Sequence, residues 1–169
     1  MRAFGAGREV LIRNPLAIRP WQHVLDPIIG YLALAQRLMT DGRVFAGGWN
    51  FGPGAAGELP VAELMDRLVA AWGTGAGWRR DEAPHPPEAA VLKLDCARAA
   101  ARLEWQPLVD LDRAISLTTE WYRALAAGAD IRALTFGQID EILVRASDSG
   151  IAAGDGRPIP AEAVDLTNA

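Results

Sequence analysis

The sequence is short of the residues that chemistry most often uses. One cysteine, Cys96, stands among 169 residues, so no internal disulfide forms and the chain suits a reducing compartment. Lys93 is the only lysine, which leaves sixteen arginines among the 17 basic residues; a mechanism that needs a catalytic lysine has one candidate. The two histidines, His23 and His85, show no zinc-ligand spacing with Cys96. No apolar run reaches the roughly 20 residues of a membrane-spanning helix. The best, Ile28 to Ala35, is interrupted by Gly30 and Tyr31. The first ten residues lack the apolar stretch of a signal peptide. A cytoplasmic protein without membrane attachment is expected. A basic excess is missing too: the net charge of −4 leaves no face to release nucleic-acid counterions.

Catalytic signatures are equally scarce. Tyr31 and Tyr122 are followed four residues later by Ala35 and Ala126, so the tyrosine–lysine dyad of short-chain dehydrogenases is absent. No G-x-S-x-G elbow occurs. Gly52-Pro53-Gly54-Ala55-Ala56-Gly57 fits the G-x-G-x-x-G pattern. However, Glu58 and Leu59 separate it from the next helix start at Pro60, and Pro53 removes an amide from any phosphate cradle. A turn is expected there, with no dinucleotide bound.

What is present is ordinary for one globular domain: half the residues are hydrophobic and 22% are charged. Glu9 to Ile12 reads as a strand. Asp26-Pro27 reads as a cap and first-turn proline for a helix that stops at Gly42. Ile28, Ile29, Leu32, Ala35 and Leu38 recur along it at helical spacing. Arg43 to Gly52 reads as a strand, apolar on both faces from Phe45 to Phe51. A second helix runs from Pro60 to a stop at Gly73. Short strands are expected at Gly77 to Arg80 and Val91 to Leu94, and a helix capped by Asp95 runs to Leu103. Asp110 caps a longer helix that ends near Gly128, and Thr135 with Gln138 fits a capping box. The fold class is α/β, mostly helical with few short strands. These strands are too few to surround the apolar Phe45 to Phe51 stretch, so part of a larger fold is expected.

The stretch "RNPLAIRPWQHVLDP" at residues 13–27 gathers Arg13, Arg19, Trp21 and His23. Pro20 restricts Arg19 to an extended backbone. If Arg19 to His23 is extended, Arg19, Trp21 and His23 share one face. An arginine held beside an aromatic suits bidentate phosphate binding, a charged hydrogen bond of about 1.5–3 kcal/mol. A pair of ordinary surface arginines is the competing reading.

Four segments carry a resemblance: "IRNPLAIRPWQHVLDPIIGYLALAQRL", "WNFGP", "HPPEAAVLKLDCARAAARLEWQP" and "TTEWYRALAAGADIRALTFGQIDEI". In this order and spacing they resemble the C-terminal half of the CDP-glucose 4,6-dehydratases, extended short-chain dehydrogenase/reductases acting on nucleotide sugars. The resemblance implies a substrate-binding C-terminal lobe whose Rossmann half is missing, over residues 1–146; the Gly, Asp, Ala and Pro that dominate from Ser147 onward make a disordered tail the expectation for 147–169. The resemblance also implies a CDP-sugar substrate. In the family NAD binds in the N-terminal half, oxidises C4 of the sugar, and returns its hydride to C6 after water is eliminated; none is expected to be held by this chain alone. By resemblance Arg19 falls where relatives hold the diphosphate, and Asn50 where they place an asparagine near it. Trp21, His23, Arg13 and His85 complete the implied substrate-binding set. The sequence departs from the family after His85-Pro86. There H-E-A-H-Y is replaced by Pro87-Glu88-Ala89-Ala90-Val91, which removes rings from a segment that lines the nucleotide in relatives. No catalytic residue is assigned. The alternatives are a module that complements a separate Rossmann half or serves as an interaction domain, an inactive gene remnant, and a small unrelated enzyme built on His85 and Glu88. A lone lobe is expected to expose a strand edge at Phe45 to Phe51 and an apolar patch, and so to self-associate.

Overall fold

The computed structural model describes residues 1–151. Six helices and four three-residue strands follow one another as α1 Arg2–Gly5, β1 Val10–Ile12, β2 Ile18–Pro20, α2 Leu25–Asp41, β3 Glu58–Pro60, α3 Val61–Trp72, β4 Trp78–Arg80, α4 Ala97–Leu103, α5 Leu111–Ala126 and α6 Ile131–Asp148. The described chain is therefore mostly helical, as expected. Its strands form two separate ribbons. β1 pairs with β4 in parallel, Leu11 opposite Arg79, and β2 pairs with β3 antiparallel, Arg19 opposite Leu59.

Local signals account for most helix ends. The Asp110 carboxylate accepts the Arg113 amide at 2.8 Å and starts α5. The end of α3 is set by Gly73, whose φ of 86° disfavours a side chain. α6 starts at Asp130, which accepts the Arg132 and Ala133 amides. The expected capping box at Thr135 and Gln138 is therefore wrong: both lie inside α6, Thr135 donating to the Ile131 carbonyl and Gln138 to the Leu117 carbonyl. Asp26 does not cap α2 either. It sits inside the first turn, 1% exposed, and its Oδ1 accepts the Leu108 amide at 2.8 Å. The carboxylate thus ties α2 to the loop before α5, and burial pushes its pKa up against the hydrogen bonds it accepts.

The largest correction concerns residues 43–52. They form no strand. Gly42 to Phe45 is a 3-10 turn and the remainder is irregular, with Phe45 and Phe51 both buried. Arginines from elsewhere hold this segment. Arg98 donates to the Ala46 and Gly48 carbonyls and stacks over Trp49 at 4.2 Å. Arg102 and Arg37 lie over Phe45 at 5.0 and 5.9 Å. The Arg98 bonds satisfy the Ala46 and Gly48 carbonyls, and the segment forms no strand whose edge could be exposed. Val91 to Leu94 is likewise no strand; Val91 makes a single bridge to Ile18.

Two apolar clusters hold the helices together. In the larger, Trp105, Leu117 and Ile142 are almost fully buried among α2, α4, α5 and α6. In the smaller, Leu59, Leu111 and Ile115 meet Trp21, Leu64 and Leu68. α2 buries Ile29, Gly30 and Ala33, while Ile28, Leu32, Ala35 and Leu38 face outward. α6 continues to Asp148 and Ile151 is buried, so structure extends past residue 146. The remainder of the expected tail lies outside the described residues. Among the described residues no helix is long and apolar enough to cross a membrane.

Candidate functional site

Residues 88–96 organise the site. The Ile18 amide donates to the Ala90 carbonyl at 2.8 Å, and the Leu92 amide donates back to Ile18 at 3.1 Å. This lays the segment along the free edge of β2. Farther on, the Asn50 side-chain Nδ2 donates to the Asp95 carbonyl at 3.0 Å and the Gly52 N–H to the Cys96 sulfur at 3.0 Å. One stretch of chain therefore connects Arg19 to Asn50.

Arg19 is half-buried and anchored by its own neighbourhood. Its Nη1 donates to the Ile18 carbonyl at 2.8 Å, and its Nη2 to the Ala89 carbonyl at 2.9 Å and to Glu88 Oε1. Lys93 pairs with Glu58 of β3 at 2.6 Å. Two cations thus border the β2–β3 ribbon, each facing a carboxylate. Asn50 is exposed, with its carbonyl oxygen unengaged among the described residues. Cys96 is half-buried, and burial raises its thiol pKa, so it is a poor nucleophile.

The other sequence-derived residues disperse. Trp21 turns its indole N–H onto the Leu59 carbonyl at 3.0 Å and joins the smaller apolar cluster. It supports the ribbon that carries Arg19. His23 lies beyond the extended stretch and does not share the Arg19 face. It is 7% exposed at the start of α2, where its Nδ1 accepts the Leu25 amide at 3.4 Å. That bond leaves the ring hydrogen on Nε2 when the ring is neutral, and burial lowers its pKa, favouring the neutral form. His23 faces a separate groove of about 410 Å³ with Trp121 and Tyr122. Arg13 is exposed and makes no ion pair among the described residues. His85 pairs with Asp81 at 3.1 Å in the exposed proline loop. Glu58 escaped the sequence reading as a site residue, Lys93 entered it only as the one possible catalytic lysine, and Glu88 only in the alternative of a small enzyme with His85. Only the long-range pairing of Ile18 with Val91 brings Glu88 and Lys93 to the ribbon, and nothing local signals it.

Residues 52–57 do not make a dinucleotide cradle. They lead through a 3-10 turn, Ala55–Gly57, into β3 rather than into a helix. The loop is filled by its own chain: a Cβ on Gly57 would lie 2.6 Å from the Trp21 carbonyl and 2.5 Å from Pro53. NAD does not fit these residues. Among the described residues no cluster of three or more metal-ligating side chains occurs.

No family model matches the chain. Over 131 residues, 78% of its length, it is 44% identical to CDP-glucose 4,6-dehydratase of Salmonella typhimurium. Over 116 residues it is 31% identical to dTDP-glucose 4,6-dehydratase of Streptomyces antibioticus. Both relatives are nucleotide-sugar 4,6-dehydratases, and the chain is similar to part of each. Of the two, the longer match and the higher identity fall to the CDP-glucose enzyme, the family its "RPWQHVL" and "LKLDC" stretches resemble. The chain covers 36% and 32% of the two relatives, about a third of each.

Proposed function

We propose that this chain is the nucleotide-sugar-binding part of a CDP-glucose 4,6-dehydratase-like lyase of the extended short-chain dehydrogenase/reductase type. The observation that carries the reading is Arg19. It is fixed in β2 before Pro20, in a chain 44% identical over 131 residues to a CDP-glucose 4,6-dehydratase, and its guanidinium already holds the Glu88 carboxylate, a charged oxygen acceptor like those of a phosphate. Asn50, tied by Asp95 to the same stretch of chain, is a second contact for the sugar nucleotide. Trp21 acts by packing under the ribbon. The hydride and proton steps of such a lyase belong to NAD and to a tyrosine–lysine pair, and this sequence has no such pair. The chain alone is therefore expected to bind CDP-glucose without converting it. Titration calorimetry with CDP-glucose tests the binding: Arg19→Ala should weaken it at least about tenfold, the value of a charged hydrogen bond. Unchanged affinity in that variant would overturn the assignment, and formation of the 4-keto-6-deoxy product from NAD and CDP-glucose would overturn the inactive reading.

One observation favours a second role beside this one. Val24, Ile28, Tyr31, Leu32, Leu38 and Met39 are exposed along one side of α2, a contiguous apolar stripe of the sort that marks an interface. It fits a module that completes another polypeptide or a second copy of itself. Size-exclusion chromatography across a dilution series, and co-purification with a dehydrogenase half supplied in trans, decide between them. A monomer at every concentration that captures no such half would remove both.

A further inference from the structure

We propose that Glu88 is an internal occupant of the anion site, a carboxylate that must leave Arg19 before a nucleotide diphosphate can bind. The inference rests on the reading of Arg19 as the diphosphate contact. A carboxylate and a phosphate present the same oxygens to a guanidinium fork, and in this structure Glu88 Oε1 accepts from Arg19 Nη2.

Glu88 is placed to leave. It sits in the exposed stretch of residues 81–90, which contains neither helix nor strand, and its side chain is 44% exposed. Arg19 is its sole hydrogen-bond partner among the described residues. Arg19 itself would stay in position. Its Nη1 bond to Ile18 and its Nη2 bond to the Ala89 carbonyl do not involve the Glu88 side chain, and its side chain is only 17% exposed. The neighbouring pair shows the contrast. Glu58, on Lys93, is 16% exposed and held in β3 opposite Pro20, so its carboxylate is fixed where Glu88 is not. The arriving diphosphate carries more charge than one carboxylate and takes its place on a guanidinium already aimed.

An exposed ion pair is weak, so the competition lowers nucleotide affinity by a factor of about two to five rather than abolishing it. The test is calorimetric titration of the full chain with CDP, using wild type, Glu88→Gln, Glu88→Ala, Arg19→Ala and the Arg19→Ala/Glu88→Gln double variant, with circular dichroism confirming that each is folded. Both Glu88 variants should bind CDP about two- to fivefold tighter than wild type. In the Arg19→Ala background Glu88→Gln should change nothing. Equal or weaker binding by the Glu88 variants, with Arg19→Ala still impaired, would overturn the inference and leave the Arg19 reading standing. The same gain in the Arg19→Ala background would also overturn it, because Glu88 would then act by general repulsion. Arg19→Ala binding CDP as wild type does, or no binding by any variant, would remove the Arg19 reading and the inference with it.

Discussion

Gly30 lies in the middle of α2, where alanine would ordinarily be the better residue by about 0.5–1 kcal/mol. Here the structure reverses the sign. A Cβ on Gly30 would meet Phe51 at 2.4 Å from Cδ1, 2.7 Å from Cε1 and 2.8 Å from Cγ, far inside the roughly 3.5–4.0 Å at which carbon atoms attract. The ring cannot recede freely. It stands edge-on to Tyr31 at 5.3 Å and to Trp105 at 5.0 Å, and the Phe51 carbonyl accepts the Gln22 amide at 2.7 Å. Overpacking of this kind costs about 1–3 kcal/mol. Set against the propensity gain, Gly30→Ala should destabilise the chain by about 1–2 kcal/mol, lowering Tm by roughly 2–8 °C. Gly137, in α6, is the matched control: a Cβ there has no neighbour within 4 Å, and Gly137→Ala should gain about 0.5–1 kcal/mol. Urea unfolding followed by circular dichroism measures both. In a Phe51→Leu background the cost of Gly30→Ala should shrink. Gly30→Ala unfolding at or above the wild-type urea midpoint would refute the steric reasoning.

Asp26→Ala leaves the half-buried Leu108 amide without its acceptor and should cost about 1–3 kcal/mol in the same urea assay, whereas Asp26→Asn keeps an acceptor and should cost less. The raised pKa of Asp26 means that the native state binds the proton more tightly than the unfolded chain. Asp26 therefore removes stability as pH rises from the ordinary 3.8 through its folded value, and Asp26→Asn should gain on wild type across that window. His23 runs the other way, because burial lowers its pKa from 6.5 and the unfolded chain then binds the extra proton. Stability should fall as pH drops from 6.5 through the lower folded value, and urea midpoints of His23→Gln should lack that component. On the exposed side of α2, Leu32→Glu should reduce dye binding and self-association in sizing runs while leaving the urea midpoint nearly unchanged, because Leu32 is 50% exposed; a large stability loss would show that the stripe is covered within the chain.

The helices that the sequence announced are those whose punctuation is local. Pro60 and Gly73 bracket α3, and Asp110 starts α5, because a fixed φ, a positive φ and a side-chain acceptor act within a turn of the residues that supply them. The spacing along α2 drew one stripe, Ile28, Ile29, Leu32, Ala35 and Leu38, of which only Ile29 is buried. Periodicity found the helix and could not say that Ile29, Gly30 and Ala33, rather than Ile28, Leu32 and Leu38, turn inward. Residues 43–52 were lost for a different reason. Their composition favours a strand, but the groups that decide their shape are Arg98 and Arg102, some fifty residues away along the chain.

The same limit explains how "RPWQH" divides. Alternation of faces holds only while a strand is paired, and the last pairing contact here is the Trp21 amide on the Gly57 carbonyl at 2.9 Å. Up to that point Arg19 reaches residues 88 and 89 along the ribbon edge while Trp21 packs with Leu59 beneath it. Past it, the Asp26 amide bonds back to the His23 carbonyl at 3.1 Å as α2 begins, and the chain turns His23 into the interior. His23 therefore serves the start of the helix, with its Nδ1 on the Leu25 amide, and lies apart from the Arg19 guanidinium, which is held by Glu88 and Ala89. A substitution at His23 should thus move stability and its pH dependence while leaving CDP affinity alone, whereas one at Arg19 should weaken CDP binding without that pH dependence. That pair of responses separates the two roles that five consecutive residues had joined.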